Sequence, residues 1–314
     1  MDPRVGEETR RSSERRRISS EEVFSEGAYS YRTSASEGVM QLLVIGGGVV
    51  GTATAQGFQR LGHHIDIVDP KKDCLAASKG FTVWESPEKM SELDKLRVEL
   101  AFICTPERTV PEAIGELYKV FNPLRHSVTS GTRPSVKSFP VYIRSSVVPS
   151  TCSKLNVKYR HWHISHNPEF LREAVAEYEF LNPTGVVIGE CCQGHDEMIR
   201  SLYAPLKVPI HFIRIEESEF TKLCINGYLA AQVSFWNQVK ILADSMGMGI
   251  NSHRVGMLAS QCDSRISPYG ARMHGKPYGG HCLPKDIDQL LDLCREYAKG
   301  KPASLFEAVK RINQ

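Results

Sequence analysis

The sequence predicts an α/β protein, a Rossmann-type parallel-sheet domain followed by an all-helical domain with a long central helix. Three observations carry this. From about residue 39 a strand, a glycine turn, a helix and a second strand ending in an acid follow in order. Further near-continuous apolar runs recur up to residue 215, as expected of parallel strands covered on both faces. From about Glu217, almost thirty residues pass without proline, with apolar side chains at helical spacing.

The first element is the stretch "VMQLLVIGGGVVGTATAQGFQRLGHHIDIVDP". An apolar strand, Leu42 to Ile45, runs into Gly46-Gly47-Gly48-Val49-Val50-Gly51. Gly46 makes the tight turn, Gly48 lets backbone N–H groups approach a pyrophosphate, and Gly51 lets helix and strand pack closely. A helix over Thr52 to Leu61 presents its N-terminus to the phosphates, and Gly62 ends it. The second strand, Ile65 to Val68, ends in Asp69, placed to bind a ribose 2′-hydroxyl. Lys71 and Lys72 would suit a 2′-phosphate, but the Asp69 carboxylate would repel one, so NAD is expected.

The later strands are expected at Val98–Pro106, Val141–Pro149, Gly185–Glu190 and Ile210–Ile215. Thr105 and Ser145-Ser146 fall at strand C-terminal ends, where open α/β sheets bind ligands. The proline-free run is long for a globular helix and would fit a spine shared between subunits.

Bulk properties narrow the class. A length of 314 residues suggests two domains, and 41% hydrophobic with 24% charged residues suits a soluble globular protein with a sizeable core. The net charge of +3 indicates no nucleic-acid partner. No apolar run approaches the ~18 residues of a membrane helix. Nine cysteines with no CxxC pair read as reduced thiols of a cytoplasmic protein. Residues 1–37 differ in kind: "RRSSERRRISSEE" has almost nothing to bury and lacks a signal peptide's apolar segment. They read as a disordered, solvated tail.

Several side chains could carry chemistry. Lys222 and Asn226 stand four apart on the long helix and share a face, either as a solvated strip or as a functional pair. Glu169 and Glu173 are also four apart, after Asn167-Pro168, which looks like a turn opening a helix with both carboxylates on one side. "HWHISH" holds His161, His163 and His166, read as strand and loop residues. Cys191-Cys192 reads as loop, and no metal is expected. In "YGGHCLPKD", Cys282 follows two glycines and lies beside His281 and Lys285, whose charge would lower a thiol pKa.

Together these motifs resemble the UDP-glucose/GDP-mannose dehydrogenase family, in order from about Met40 to the last residue. The resemblance rests on the glycine loop, "CTP", "RSSVVPST", "NPEFLREA", the Lys222–Asn226 helix, "DSRI" and "YGGHCLPKD". It implies two NAD-dependent oxidations of a nucleotide sugar's C6 alcohol, UDP-glucose to UDP-glucuronate. Lys222, Asn226 and Asp286 would position and deprotonate the hydroxyl and a water. Cys282 would form a thiohemiacetal and then a thioester, which water hydrolyses with Glu169 as base. Thr105, Ser146, Glu173 and Lys285 would lie near the cofactor. Phe170, Leu171, Tyr278 and Gly279 would contact the sugar nucleotide, and Arg265 would reach a neighbouring subunit's substrate in a homodimer.

The resemblance further implies a Rossmann-type domain over 38–215, a helical dimerisation domain over 216–314, and a third family domain that this sequence lacks. Ser146, Ala174 and Tyr278 replace the family's usual threonine, glycine and phenylalanine. Two other readings stay open: a single-hydride β-hydroxyacid dehydrogenase, which has no use for Cys282, and a catalytically silent NAD-binding scaffold.

Overall fold

The computed structural model of the chain describes residues 38–126, 139–192, 196–280 and 282–314. The expected disordered tail and His281 lie outside these residues. Among the described residues an eight-stranded sheet has the order β3-β2-β1-β4-β5-β6-β7-β8. Its strands are β1 (Gln41–Ile45), β2 (His64–Val68), β3 (Val83–Trp84), β4 (Leu100–Ile103), β5 (Phe139–Ile143), β6 (Trp162–His166), β7 (Val186–Glu190) and β8 (Ile210–Arg214). The flanking helices are α1 (Val49–Arg60), α2 (Leu75–Ser78), α3 (Glu92–Arg97), α4 (Val110–His126), α5 (Thr151–Lys158), α6 (Ala176–Leu181) and α7 (Asp196–Tyr203).

The apolar runs are explained by a sheet with two cores. Leu43 and Ile45 of β1, Ala101 and Ile103 of β4, and Val141 and Ile143 of β5 join one buried cluster. Their immediate neighbours Leu42, Val44, Leu100, Phe102 and Tyr142 join another. Successive residues of a strand point to opposite faces, so a strand buried on both sides must be apolar throughout. Phe58 of α1 packs in the second core, stacked on Phe102 at 5.0 Å.

One expectation fails. The sheet is not wholly parallel, because β7 runs antiparallel to β6, with His166 opposite Gly189. The segment between β6 and β7 carries a 3₁₀ turn, Glu173–Val175, and the short α6, and it returns the chain along the neighbouring strand position rather than crossing over.

The chain then enters α8 (Ile215–Ser245), a 31-residue helix, about 46 Å long. Beyond it lie α9 (Ser252–Cys262), α10 (Tyr269–Met273), α11 (Cys282–Tyr297) and α12 (Ser304–Ile312). The first turns of α8 belong to the sheet layer. Ile215 is in the first core, and the buried Glu219 accepts hydrogen bonds from the Ser150 and Cys152 backbone N–H groups at 2.7 and 2.8 Å. Its later turns form a third core, in which Leu223, Ala230 and Val233 pack with Ile287, Leu290 and Val309 of α11 and α12. At Gly227 a Cβ would come within 2.5 Å of a Leu290 methyl, so any larger residue there would push that side chain out of its place in the α8–α11 contact. No described helix is long and apolar enough to cross a membrane.

Candidate active site

The cofactor end of the sheet is built as the glycine spacing predicts. Gly46 has φ +103°, and a Cβ there would press to 2.8 Å on the Cys104 carbonyl. A Cβ on Gly51 would meet the Gly46 carbonyl oxygen at 1.7 Å, so helix α1 can lie this close to β1 only with glycine. Gly48, the N-cap of α1, faces open space instead, and Val49 and Val50 begin the helix. The Asp69 carboxylate accepts from the Gly47 N–H at 2.7 Å and the Lys71 N–H at 2.8 Å, which fixes it beside the loop. Lys72 is paired with Glu85 at 2.5 Å, so its charge is occupied away from the ribose position. Nearby, the buried Thr105 hydroxyl has no hydrogen-bond partner. An open cradle, a fixed carboxylate and an orphaned hydroxyl at the carboxyl ends of β1, β2 and β4 fit a bound dinucleotide.

The second half of the site converges from three segments. The segment after β6 carries Glu169, helix α8 carries Lys222 and Asn226, and the start of α11 carries Cys282, Lys285 and Asp286. Lys222 is 3% exposed and Glu169 7%, and the ammonium lies 3.1 Å from the Glu169 carboxylate. It also donates to the Glu169 carbonyl and sits 5.2 Å from the Phe170 ring centroid. The other carboxylate oxygen accepts from the Leu171 N–H at 2.7 Å. Asn226 donates to the fully buried Asp286 at 2.5 Å, and Lys285 donates to its second oxygen. Lys285 also reaches Gln289 at 3.2 Å and Glu107 at 3.9 Å, tying α11 to the turn after Thr105.

Cys282 opens helix α11 and is exposed. Its thiol is pushed above the ordinary 9.0, first by desolvation and then by the Glu169 charge. Lys222 opposes these effects, Asp286 adds to them, and Lys285 pulls the other way. Lys285 does pull the thiol down as expected, but the expected net lowering fails, because desolvation and the Glu169 charge outweigh it. The same interactions place Cys282 within the field of Glu169, Lys222, Asp286 and Lys285 together.

A second correction concerns Glu169 and Glu173. Residues 169–172 are not helical, and the chain turns through a 3₁₀ segment, Glu173–Val175, before α6. The two carboxylates therefore do not share a helical face: Glu169 is buried and Glu173 exposed. Ser146 is buried near the end of β5, whereas Arg265 is exposed and paired with Asp263 at 2.6 Å. Tyr278 is 7% exposed and belongs to the third core; its backbone N–H donates to Asn313 at 2.5 Å. It thus supports the loop in which Gly279 stands exposed, one residue before Gly280 at φ +77°.

Supporting residues that sequence reading passed over hold the Glu169 segment. Arg144 donates to Asn167 at 2.6 Å and to the Tyr203 hydroxyl at 2.8 Å, and Tyr203 donates to Asn167 at 2.6 Å. His166, fully buried, contacts Ser218 at 2.8 Å and the Ser145 carbonyl at 3.2 Å. Burial drives its pKa down to about 4, with Lys222 and Arg144 also disfavouring a second charge. Nothing in the residue types alone reveals these links, since Asn167 and Tyr203 are 36 positions apart.

Comparison with known proteins agrees with this geometry. The sequence profile of the UDP-glucose/GDP-mannose dehydrogenase family, NAD binding domain, matches residues 98–207, and that of the family's central domain matches residues 216–314. UDP-glucose 6-dehydrogenase of Rickettsia typhi is 29% identical over 287 residues, covering 82% of this chain and 63% of that protein. UDP-glucose 6-dehydrogenase YwqF of Bacillus subtilis is 26% identical, covering 87% of this chain and 65% of the relative. The chain thus spans a little under two thirds of the length of these relatives. A solved UDP-glucose dehydrogenase from Pyrobaculum islandicum shares the fold with a TM-score of 0.74 at 24% identity, over 90% of this chain and 69% of that one. Mycobacterium tuberculosis 3-hydroxyisobutyrate dehydrogenase shares it at 0.63 and 17% identity, over 88% of this chain and 93% of that one. With both profiles matched in order along the chain, and strand, cradle and buried Lys–Asn–Asp set in place, the chain belongs to the UDP-glucose/GDP-mannose dehydrogenase family.

Proposed function

We propose that the chain oxidises the C6 alcohol of a nucleotide sugar to a carboxylate with NAD, UDP-glucose to UDP-glucuronate, through thiohemiacetal and thioester forms of Cys282. Residues 38–215 serve as the cofactor domain and 216–314 as the helical, subunit-pairing domain. The observation that carries the reading is the buried assembly of Glu169, Lys222, Asn226 and Asp286 around an accessible thiol.

Gly46, Gly48, Val49, Val50 and Gly51 would hold the pyrophosphate and Asp69 the ribose, with Thr105, Ser146, Glu173 and Lys285 toward the nicotinamide. Two NAD molecules, bound in turn, would each accept one hydride from C6, the first leaving the aldehyde and the second turning the thiohemiacetal into the thioester as its hydroxyl proton is released, so that the carbon loses four electrons. Lys222 and Asn226 orient the hydroxyl, and Asp286 accepts its proton, held for that task by the Asn226 and Lys285 donors. The Cys282 sulfur bonds to the aldehyde carbon as the carbonyl π pair moves onto oxygen. The thiol proton is released, and the oxygen takes up a proton beside the Lys222 ammonium. Water then attacks the thioester while Glu169 takes its proton; the C–S bond breaks, the thiol is restored and the carboxylate leaves. Phe170, Leu171 and Gly279 line the approach to this group.

Tyr228, Phe235 and Leu242, seven residues apart on α8, are 60–62% exposed and form an apolar stripe along it. That stripe supports homodimer pairing through α8, and dimerisation would bring the exposed Arg265 toward a second site.

The deciding measurement is NADH formed per UDP-glucose consumed. Two per sugar, abolished by Cys282→Ser, is the expected result. One per substrate, unaffected by that replacement, would support a β-hydroxyacid dehydrogenase, a reading favoured by the fold shared with the mycobacterial enzyme.

A further inference from the structure

The antiparallel pairing of β6 and β7 has a local product at the end of β6 away from the dehydrogenase site. His166 lies opposite Gly189, so moving three residues back along β6 and three forward past β7 sets His163 against Cys192. Cys191 and Cys192 follow the last residue of β7, and His163 is the second residue of β6. The site residues Asn167 and Glu169 leave the opposite end of β6, so the two places do not overlap.

The three donor atoms are gathered closely. The Cys191 and Cys192 sulfurs are 3.7 Å apart, and the Cys191 sulfur is 3.6 Å from His163 Nδ1. His163 Nδ1 and the Cys192 sulfur are in hydrogen-bond contact at 2.7 Å. Zinc–sulfur and zinc–nitrogen bonds of about 2.3 and 2.05 Å at a tetrahedral centre require edges of about 3.8 Å between sulfurs and about 3.6 Å between sulfur and nitrogen. Two of the three edges already have these lengths. The third opens by roughly 0.9 Å to reach the tetrahedral value, a shift within reach of the side-chain rotation of a half-buried cysteine. The donors border a groove of about 500 Å³, lined also by Ser153, Asn156, Glu190 and Glu216, so an ion can enter and keep a water in the fourth position.

We propose that His163, Cys191 and Cys192 form a binding site for a zinc-type divalent metal ion, separate from the dehydrogenase centre. On binding, two S–H protons pass to solvent, two metal–sulfur bonds form, and the His163 Nδ1 lone pair makes the third bond. The site would clamp β6 to the end of β7 next to the first turn of α8, because Arg214, Ile215 and Glu216 line the same groove.

Cobalt(II) is the probe. The full chain, with thiols kept reduced and oxygen excluded, is titrated with cobalt chloride and followed by absorption. The expected result is one cobalt per chain, with thiolate-to-cobalt charge transfer in the near ultraviolet, intense tetrahedral d–d bands, and displacement by zinc. Cys191→Ser or Cys192→Ser should weaken binding by at least about tenfold, and His163→Ala should shift the d–d bands. Cys282→Ser should leave the spectrum unchanged. Absence of the bands in the reduced wild-type chain would overturn the proposal. So would bands that survive the double replacement of Cys191 and Cys192, since other thiols would then be the ligands. If the reduced pair takes up no cobalt but closes to a disulfide on oxidation, the cysteines are a redox pair and the metal site is refuted.

Discussion

The Asn226 side chain donates a 2.5 Å hydrogen bond to the Asp286 carboxylate, joining helices α8 and α11 at a point with no solvent access to the acid. Lys285 of the same helix donates to the other carboxylate oxygen. Replacing Asp286 by Asn keeps the volume but removes the proton acceptor. Turnover is expected to fall about 10²- to 10⁴-fold, with NAD binding retained. Steady-state kinetics beside a cofactor titration checks this, and turnover within a factor of two of wild type would exclude Asp286 as the base.

The Lys222–Glu169 pair is buried on both sides. Removing one partner leaves an uncompensated interior charge, so Lys222→Met should cost roughly 3–5 kcal/mol of stability. The double replacement Lys222→Met with Glu169→Gln should cost less than the two single losses combined. Denaturant unfolding of the four proteins reads the coupling, and simple additivity would mean that the pair does not interact energetically.

Two glycines of one loop should respond differently. Gly51→Ala forces a Cβ to within 1.7 Å of the Gly46 carbonyl and should lower both melting temperature and NAD affinity. Gly48→Ala meets no protein atom, so the fold should hold while NAD binding falls. Thermal unfolding and cofactor titration together separate the cases. Equal melting losses for both would contradict the open cradle.

Partial desolvation of the sulfur and neighbouring carboxylates raise the Cys282 thiol. Alkylation of this residue in the substrate-free protein should therefore titrate at higher pH than a free cysteine, and Glu169→Gln should move the midpoint down. Iodoacetamide rates read by peptide mass spectrometry give the profile. A midpoint well below 9.0 would mean that the lysines outweigh the carboxylates.

His166 titrates near 4 in the folded chain against an ordinary 6.5. Below 6.5 the unfolded chain binds the proton that the folded chain refuses, so stability falls as pH drops from about 6.5 toward 4, by on the order of a few kcal/mol. His166→Gln should flatten that part of the stability curve. Calorimetry between those limits checks the slope, and an unchanged curve would remove His166 as its cause.

What the sequence by itself determined is local. Glycines spaced along six residues, an acid closing the second strand, and apolar runs without alternation specified a covered sheet and a dinucleotide loop, because each depends on neighbours a few residues away. The i,i+4 spacing likewise put Lys222 and Asn226 on one face of α8. The tertiary structure alone decided which partners those faces meet. Glu169 reaches Lys222 across 53 positions and Asn226 reaches Asp286 across 60. The sign of the Cys282 shift follows from that convergence, since desolvation first and then the distant Glu169 outweigh the opposing pull of Lys222 and of Lys285, three residues away. The reversal between β6 and β7 was hidden for a related reason: an apolar five-residue strand reads the same in either direction, and only its pairing sets His163 beside Cys191 and Cys192.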